Sequence, residues 1–292
     1  MQVSIVTRYP ERIDSYFSSL VCNTLNKTGI EIQPIDASNY IPKQTDRRSC
    51  LRATKKLRKI FDKSDLIHAL DYRTAWACAD ALTDKKNSKQ WIYSAADYPK
   101  TEHPELIKRL EQAKVCLCFN QAIHQKMREL YLGRFEVIYP PISAHTKSEI
   151  DFDQISCFGL SESNLQELQK SLEVRCPEIQ LNSESFQSGI IIESRENIAF
   201  SDQVIRALQS GAVAFAKQNT WLEFEISDHV NGYIYESDWQ LHNLLATFLS
   251  KKNILEQTQI KSEKHFNQLF SVENYTKKLE NIYSKFKACV TI

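Results

Sequence analysis

A turn between a predicted strand and a predicted helix collects the polar residues best suited to bind a charged ligand. An apolar strand at Ile190–Ile192 is followed, after a loop, by a helix predicted from about Ser201 to Gln209. Ser201 and Asp202 open this helix, and Arg206 lies one turn further on. Free backbone N–H groups at a helix N-terminus and a guanidinium group both favour anions. We therefore expect Ser201, Asp202 and Arg206 to meet an anionic group such as a phosphate.

Arg206 also has a simpler alternative role. It follows Asp202 by four residues, so the two side chains can pair on the helix surface, an interaction worth about 0.3–0.5 kcal/mol. Gly211 ends the helix, and a second strand predicted at Ala212–Ala216 completes a βαβ unit of a parallel sheet. The same predicted site includes residues that flank this helix and the end of the second strand: Phe200, Gln218 and Asn219.

A second group of polar residues follows strands predicted in the first half of the chain. Asp97 comes after a strand at Gln90–Ala95, and ligands of parallel sheets bind at the carboxyl ends of strands. A carboxylate there could take the proton of a substrate hydroxyl as a general base; the alternative is a turn or capping aspartate before Pro99. Residues after other strands are predicted to face a substrate or a phosphate: Arg8, Tyr9 and Asn120. For Arg8 the alternative is an ordinary surface arginine.

The segment from Arg47 to Phe61 is predicted to be a basic amphipathic helix. Its apolar residues, Ala53, Leu57 and Phe61 among them, share one face. The basic face is either solvated surface over a packed stripe or a dock for anionic lipid or a polyanionic acceptor, where each cation near the surface is worth about 1 kcal/mol. No motif of basic and aromatic residues accompanies it, so nucleic acid is not an expected partner. The predicted dock consists of Arg47, Arg48, Arg52, Lys55, Lys56 and Lys59.

Strands and helices must position these groups, and they alternate along the whole chain, which predicts an α/β fold. The first strand is expected at Val3–Thr7, and apolar spacing predicts one helix from Ile13 to Leu25. The chain has only six glycines and contains neither Gly-x-Gly-x-x-Gly nor a P-loop motif. This argues against a dinucleotide-dependent enzyme or a P-loop ATPase.

Composition sets further limits on function. The net charge of +1 gives no global field for a highly charged partner. There is no leader-like segment at Met1 and no apolar run of about 18 residues, so neither secretion nor a membrane span is expected. The eight cysteines are scattered without a Cys-x-x-Cys pair, which favours a reducing compartment, and neither a metal site nor a cofactor is expected. The expected location is cytoplasmic, with peripheral contact at the inner membrane face if the basic helix docks there.

Two segments resemble a known family. The pattern of Phe200, Ala207-Leu208, Ser210-Gly211 and Val213, followed by His229 to Tyr233, resembles the C-terminal half of family-4-like glycosyltransferases (glycosyl transferases group 1, GT-B superfamily). Lys114 to Asn120, with the helix after it, resembles the end of their first domain. The resemblance implies a GT-B-like fold: two Rossmann-like α/β domains whose parallel sheets face each other across a cleft. It further implies retaining, metal-independent transfer from a nucleotide sugar.

The same resemblance implies the domain organisation. Residues 1–141 would form an N-terminal Rossmann-like domain on the acceptor side, because Pro140 and Pro141 cannot continue a central strand. Residues 142–292 would form a shortened C-terminal Rossmann-like domain on the donor side, with the final helices packing back on the first domain.

The departures from the family pattern concern donor and acceptor contacts. Ile198 and Arg206 stand where the family usually carries two glutamates, and Ala96 stands at the usual histidine position. The family's arginine and lysine after the strand at Gln154–Gly159 are also missing. An isoleucine or an arginine cannot accept sugar hydroxyls as a carboxylate does.

Two functions therefore remain open. The first is transfer of a sugar from a nucleotide-sugar donor to a glycan or lipid-linked acceptor in the synthesis of a surface polysaccharide or glycolipid. The second is a catalytically inactive GT-B-like subunit, or a carbohydrate- or nucleotide-binding partner, of an active transferase. A third hypothesis is an adaptor that binds membrane or nucleic acid through the basic helix.

Overall fold

The computed structural model describes residues 1–41, 47–82, 89–97, 108–142, 151–182 and 188–287. The chain divides into two compact units. The first unit consists of Met1–Pro141 together with Val272–Ile292, and the second of Ile142–Ser271. The last helix of the chain therefore belongs to the first unit, whereas the two helices before it belong to the second.

A six-stranded parallel sheet forms the centre of the first unit, in the order β2-β1-β3-β4-β5-β6. Its inner strands are short runs of buried residues, because helices on both faces of a parallel sheet leave neither face to water. The strands are β1 (Gln2–Thr7), β2 (Glu31–Asp36), β3 (Leu66–Ala69), β4 (Gln90–Ala95), β5 (Cys116–Cys118) and β6 (Phe135–Val137).

Helices connect these strands. The single helix predicted from Ile13 to Leu25 is wrong, because the structure has two helices with a break at Phe17 and Ser18. Ser18 has extended backbone angles and begins the second helix, while the side chain of Phe17 is buried in the core. The described helices are α1 (Pro10–Tyr16), α2 (Ser19–Lys27), α3 (Arg47–Phe61), α4 (Tyr72–Leu82), α5 (Gln121–Leu130) and, at the end of the chain, α10 (Val272–Lys287).

A five-stranded parallel sheet forms the second unit, in the order β11-β10-β9-β7-β8. The central strand β9 carries the fully buried run Ile190–Ile192 that the sequence predicted as a strand. The sequence analysis missed the edge strand β8, which is only three residues long. The strands are β7 (Asp151–Phe158), β8 (Gln180–Asn182), β9 (Ser188–Glu193), β10 (Val213–Lys217) and β11 (Gly232–Tyr235).

Four α-helices and one short 3₁₀ helix (Trp221–Glu225) accompany this sheet in the described part of the second unit. The serine before each of three helices accepts a hydrogen bond from a backbone N–H in the first turn, which satisfies a group that has no partner inside the helix. The α-helices are α6 (Glu162–Arg175), α7 (Asp202–Gln209), α8 (Asp238–Leu249) and α9 (Lys252–Leu269).

Candidate functional site

Asp71 organises the carboxyl edge of the first sheet, and the sequence analysis missed it. Its buried carboxylate accepts hydrogen bonds from the Thr7 hydroxyl at 2.9 Å and the Arg8 backbone N–H at 3.1 Å. It also accepts from the backbone N–H and the hydroxyl of Thr74, at 2.9 and 2.6 Å. One carboxylate thus ties the loop after β1 to the start of α4. Its position after β3, at the edge where Asp97 was expected, was the available sequence signal.

Asp97 follows β4 at this same edge. Its side chain is 69% exposed, and one oxygen lies 3.2 Å from Nη2 of Arg12. Arg12 also donates to the carbonyl of Leu70 at 3.1 Å, and its guanidinium carbon lies 4.9 Å from the ring centre of Tyr9. The Arg12 guanidinium therefore contacts one carboxylate oxygen of Asp97, while most of that side chain stays exposed.

The other three residues predicted for the acceptor or phosphate side differ in accessibility. Arg8 and Tyr9 are partly exposed after β1, and the Nε atom of Arg8 is buried without a hydrogen-bond partner among the described residues. Tyr9 begins α1, and its backbone N–H donates to the Thr7 hydroxyl. Asn120, in contrast, is fully buried, and its Oδ1 caps α5 by accepting from the Ile123 N–H at 2.8 Å. This capping bond uses the side-chain oxygen of Asn120 to satisfy a backbone N–H in the first turn of α5.

The predicted anion-binding helix of the second unit has the expected local structure. Ser201 caps α7, and Asp202 lies in its first turn. Partial desolvation raises the pKa of the Asp202 carboxyl, and the positive charge of Arg206 acts in the opposite direction.

The other predicted donor contacts fall into two kinds. Phe200 packs inside the second unit, with its ring centre 5.6 Å from that of Trp221 and 5.8 Å from that of Phe270. Gln218 and Asn219 are exposed directly after β10. Asn219 has a φ of 67°, and its backbone N–H donates to the Glu223 carboxylate at 2.6 Å.

An ion pair at the end of β9 was also missed by the sequence analysis. Glu193 is fully buried, and Arg195 donates to both of its carboxylate oxygens, from Nε at 2.8 Å and from Nη2 at 2.6 Å. Ser194 lies between these two residues in sequence, and its hydroxyl is 2.5 Å from the hydroxyl of Tyr235. Burial raises the pKa of the Tyr235 hydroxyl. The signal in the sequence was a glutamate that ends an otherwise apolar strand.

Part of the predicted basic dock lies on an exposed helix face. Lys55, Lys56 and Lys59 are exposed on α3, while Ala53, Leu57 and Phe61 are buried on its other face. The Nζ atom of Lys56 lies 4.9 Å from the ring centre of Tyr40. The side chains of three further residues of the dock lie outside the described set: Arg47, Arg48 and Arg52.

Two searches of the described residues bear on other kinds of site. Within the described ranges, no group of three or more His, Cys, Asp or Glu side chains could hold a metal ion. Across the same residues, no helix combines the length and the apolar character needed to span a membrane.

Solved structures of similar fold cover this chain almost completely. HepE of Anabaena, in complex with UDP, matches with a TM-score of 0.71 at 13% identity, over 98% of this chain and 100% of that one. The apo form of the lipopolysaccharide outer core galactosyltransferase WaaB matches with a TM-score of 0.69 at 10% identity, over 98% and 100%. Sucrose-phosphate synthase from Thermosynechococcus elongatus matches with a TM-score of 0.66 at 10% identity, over 99% and 100%.

Comparisons of the amino-acid sequence give no match. No family model matches the chain, and no curated protein matches it. The structural matches span the full length of these three chains. What they show is the fold: this chain has two Rossmann-like α/β domains built on parallel sheets, the GT-B-like fold that the sequence predicted.

Proposed function

We propose that this protein is a family-4-like glycosyltransferase that moves a sugar from a nucleotide-sugar donor to a glycan or lipid-linked acceptor, in the synthesis of a surface polysaccharide or glycolipid. The donor binds the second unit and the acceptor binds the first. The fold shared with HepE, whose structures contain UDP, UDP-glucose or UDP with glucose, supports a uridine nucleotide as the first donor to test. The proposal includes no metal and no cofactor.

The observation that carries the proposal is the carboxyl edge of the second sheet. Three helices, α6, α7 and α8, begin after strands that end at this edge, and each begins with a serine cap: Ser161, Ser201 and Ser237. Helix N-termini present backbone N–H groups and a positive dipole end, so they favour phosphate. Parallel sheets bind ligands at this edge. A nucleoside diphosphate has the charge that such an edge attracts.

In the proposed reaction Asp97 accepts the proton of the acceptor hydroxyl. The acceptor oxygen forms a bond to the anomeric carbon of the donor sugar, and the bond from that carbon to the phosphate oxygen breaks. The nucleoside diphosphate leaves with the electron pair. Arg12 holds one oxygen of Asp97, which orients the carboxylate toward the acceptor.

Isothermal titration with UDP, UDP-glucose and the corresponding guanosine and adenosine compounds tests donor binding. We expect one of them to bind at micromolar concentration. Ser201→Trp should abolish that binding because the indole fills the space in front of α7, and Arg206→Glu should weaken it by charge repulsion. Lys170→Gln, at an exposed position within α6, is the matched control and should leave affinity unchanged. If Arg206→Ala leaves donor affinity unchanged, Arg206 serves only as the partner of Asp202.

Release of the nucleoside diphosphate in the presence of an acceptor panel tests catalysis. Asp97→Asn removes the general base and should lower kcat by about 10²- to 10⁴-fold with little change in donor affinity. Asp62→Asn, which changes an exposed aspartate of the same unit, should leave kcat unchanged. Equal rates for Asp97→Asn and the wild-type protein would remove Asp97 from the mechanism.

A non-catalytic role is the second candidate, and a specific observation favours it. Ala96, Ile198 and Arg206 replace groups that the resembling enzymes use, and the one carboxylate offered as a base is already paired with Arg12. A nucleotide-binding subunit of a partner transferase would bind the donor without turnover. Donor binding together with release of nucleoside diphosphate only after addition of a partner would support this role. If no nucleotide binds at all, the transferase is excluded, and the second candidate is an inactive subunit or a carbohydrate-binding partner that does not use the donor.

A further inference from the structure

Arg195 is held in one orientation by a buried carboxylate. Its backbone N–H donates to Oε1 of Glu193 at 3.0 Å, its Nε to the same oxygen at 2.8 Å, and its Nη2 to Oε2 at 2.6 Å. Glu193 is the last residue of β9 and is fully buried, so its charge requires a partner. The fork of the guanidinium fits both oxygens, which fixes the direction as well as the position of the arginine.

The end of β7 provides a second support for the same side chain. The guanidinium carbon of Arg195 lies 4.7 Å from the ring centre of Phe158. Gly159 follows with a φ of +81°, and a Cβ atom added there would lie 2.4 Å from Cγ of Arg195 and 2.9 Å from its backbone nitrogen. Only glycine leaves the space in which the arginine crosses the end of β7. The conformational entropy of a long side chain is therefore lost on folding and not on ligand binding.

Stability alone is a weak reason for this arrangement. A buried ion pair is about as stabilising as a well-packed apolar pair of the same volume, and the rest of this strand end is apolar: Ile190 to Ile192. The Arg195 side chain nevertheless keeps 19% exposure. It lies at the edge of the sheet where parallel α/β proteins bind ligands.

The surroundings of Arg195 favour an anion, although carboxylates are also present. The N-termini of α6 and α7 follow the two strand ends that Arg195 joins. Lys217 ends the neighbouring strand β10, one residue beyond the partner of Glu193, and pairs with Glu196 at 2.8 Å. No cation occurs directly after β7, where the chain reads Leu160-Ser161-Glu162-Ser163. Arg195 therefore brings a cation to that strand end from the adjacent strand.

We propose that Arg195 binds the diphosphate of the nucleotide-sugar donor and that Glu193 is its positioning residue. This inference rests on the proposed function, because it names a contact of the same donor site. The planar guanidinium matches two phosphate oxygens better than an ammonium group does. As the nucleoside diphosphate leaves, the same contact stabilises the negative charge that develops on it.

Titration with matched ligands tests this assignment. The probes are UDP, GDP and ADP with their nucleosides, which differ only by the diphosphate. Arg195→Lys keeps the positive charge but loses the planar guanidinium with its parallel N–H donors. The double variant E193Q/R195M removes both charges together, so that no lone carboxylate remains buried. Lys170→Gln is the charge control, and thermal unfolding of each variant reports on folding.

The expected result is a loss of affinity that affects only the ligands that carry a diphosphate. E193Q/R195M should weaken binding of the preferred nucleoside diphosphate by about 10- to 100-fold and leave binding of its nucleoside unchanged. Arg195→Lys should give a smaller loss, and Lys170→Gln none. Unchanged diphosphate affinity, or an equal loss for nucleoside and diphosphate, overturns the inference and leaves the proposed function standing. If the wild-type protein binds none of the six probes, the proposed function fails and this inference fails with it.

Discussion

The imidazole of His68 lies between two hydroxyl groups in the core of the first unit. Its Nδ1 is 2.7 Å from the hydroxyl of Tyr283, and its Nε2 is 2.6 Å from Oγ of Ser94. His68 lies on β3 and Tyr283 on α10, and 215 residues separate them in sequence. All three side chains are fully buried. The last helix is thus joined to the first sheet by a buried polar contact as well as by apolar packing.

Burial of His68 predicts loss of stability at mildly acidic pH. Burial lowers the pKa of its imidazole from the usual value of 6.5 to about 3. Below the unfolded value, the unfolded chain binds a proton that the folded chain excludes, so stability falls as the pH decreases from 6.5 toward 3. This term amounts to about 2 kcal/mol between pH 7 and pH 5. Chemical denaturation at the two pH values measures it.

His68→Gln provides the control for that experiment, because glutamine does not titrate. Its overall stability should be lower, but the part of the pH dependence that His68 causes should disappear. Burial also lowers the pKa values of His124 and His265, so the difference between wild type and variant is the informative quantity. Identical pH dependences would show that His68 has the same pKa in the folded and the unfolded protein.

Asp71→Asn should destabilise the first unit by about 1–3 kcal/mol. The carboxylate accepts four hydrogen bonds, three of them at Oδ2. Asparagine keeps only one acceptor oxygen, and its amide N–H groups would face donors. Denaturant unfolding measures the change. Asp80→Asn is the matched control, since this carboxylate is 29% exposed and pairs with Arg109; it should cost less than about 1 kcal/mol. Equal losses of stability would mean that the hydrogen bonds of Asp71 contribute no more than the ion pair between Asp80 and Arg109.

Gly159→Ala should cost more than the same change at Gly29. The two glycines have nearly equal φ values, +81° and +77°, so the backbone strain of about 1–3 kcal/mol is common to both. At Gly29 the nearest neighbour of an added Cβ among the described residues is the flexible end of Lys287 at 3.5 Å, whereas at Gly159 the new atom would collide with Arg195. Unfolding experiments compare the two variants. Only Gly159→Ala should also weaken UDP binding, and an unchanged UDP affinity would contradict the role of this strand end.

The exposed lysines of α3 predict binding to anionic membranes. Replacement of Lys55, Lys56 and Lys59 by glutamine should weaken binding to phosphatidylserine-containing vesicles by about 100-fold at low salt, at about 1 kcal/mol for each cation. The effect should decrease as salt screens the charges. A triple variant at exposed positions of the second unit, Lys251, Lys261 and Lys264, is the control. Equal vesicle binding by the two triple variants would identify the basic face as solvated surface.

Local sequence patterns were sufficient to predict most of the elements. The strand Gln90–Ala95 has the bounds that its apolar pattern predicts, and the helix predicted from about Ser201 to Gln209 is α7. The serine before α7 and the buried run in β9 are equally local signals. The predicted strands also place Asp97 and Ser201 after strand ends, at the edges where a parallel sheet binds ligands. The edge strand β8 could not be predicted from the sequence, because three residues show no clear periodicity.

The alternation of strand and helix, and hence the α/β class, can be predicted from the amino-acid pattern alone, because burial on both faces of a parallel sheet requires short apolar runs. Which side chains meet depends on the tertiary structure. Asp71 and Thr7 are 64 residues apart, Asp97 and Arg12 are 85 apart, and His68 and Tyr283 are 215 apart. Arg195 is near Glu193 in sequence, but its place against Phe158 and Gly159 follows from the pairing of β9 with β7. Strand order brings these residues together, and strand order depends on packing of the whole sheet, which no local pattern encodes.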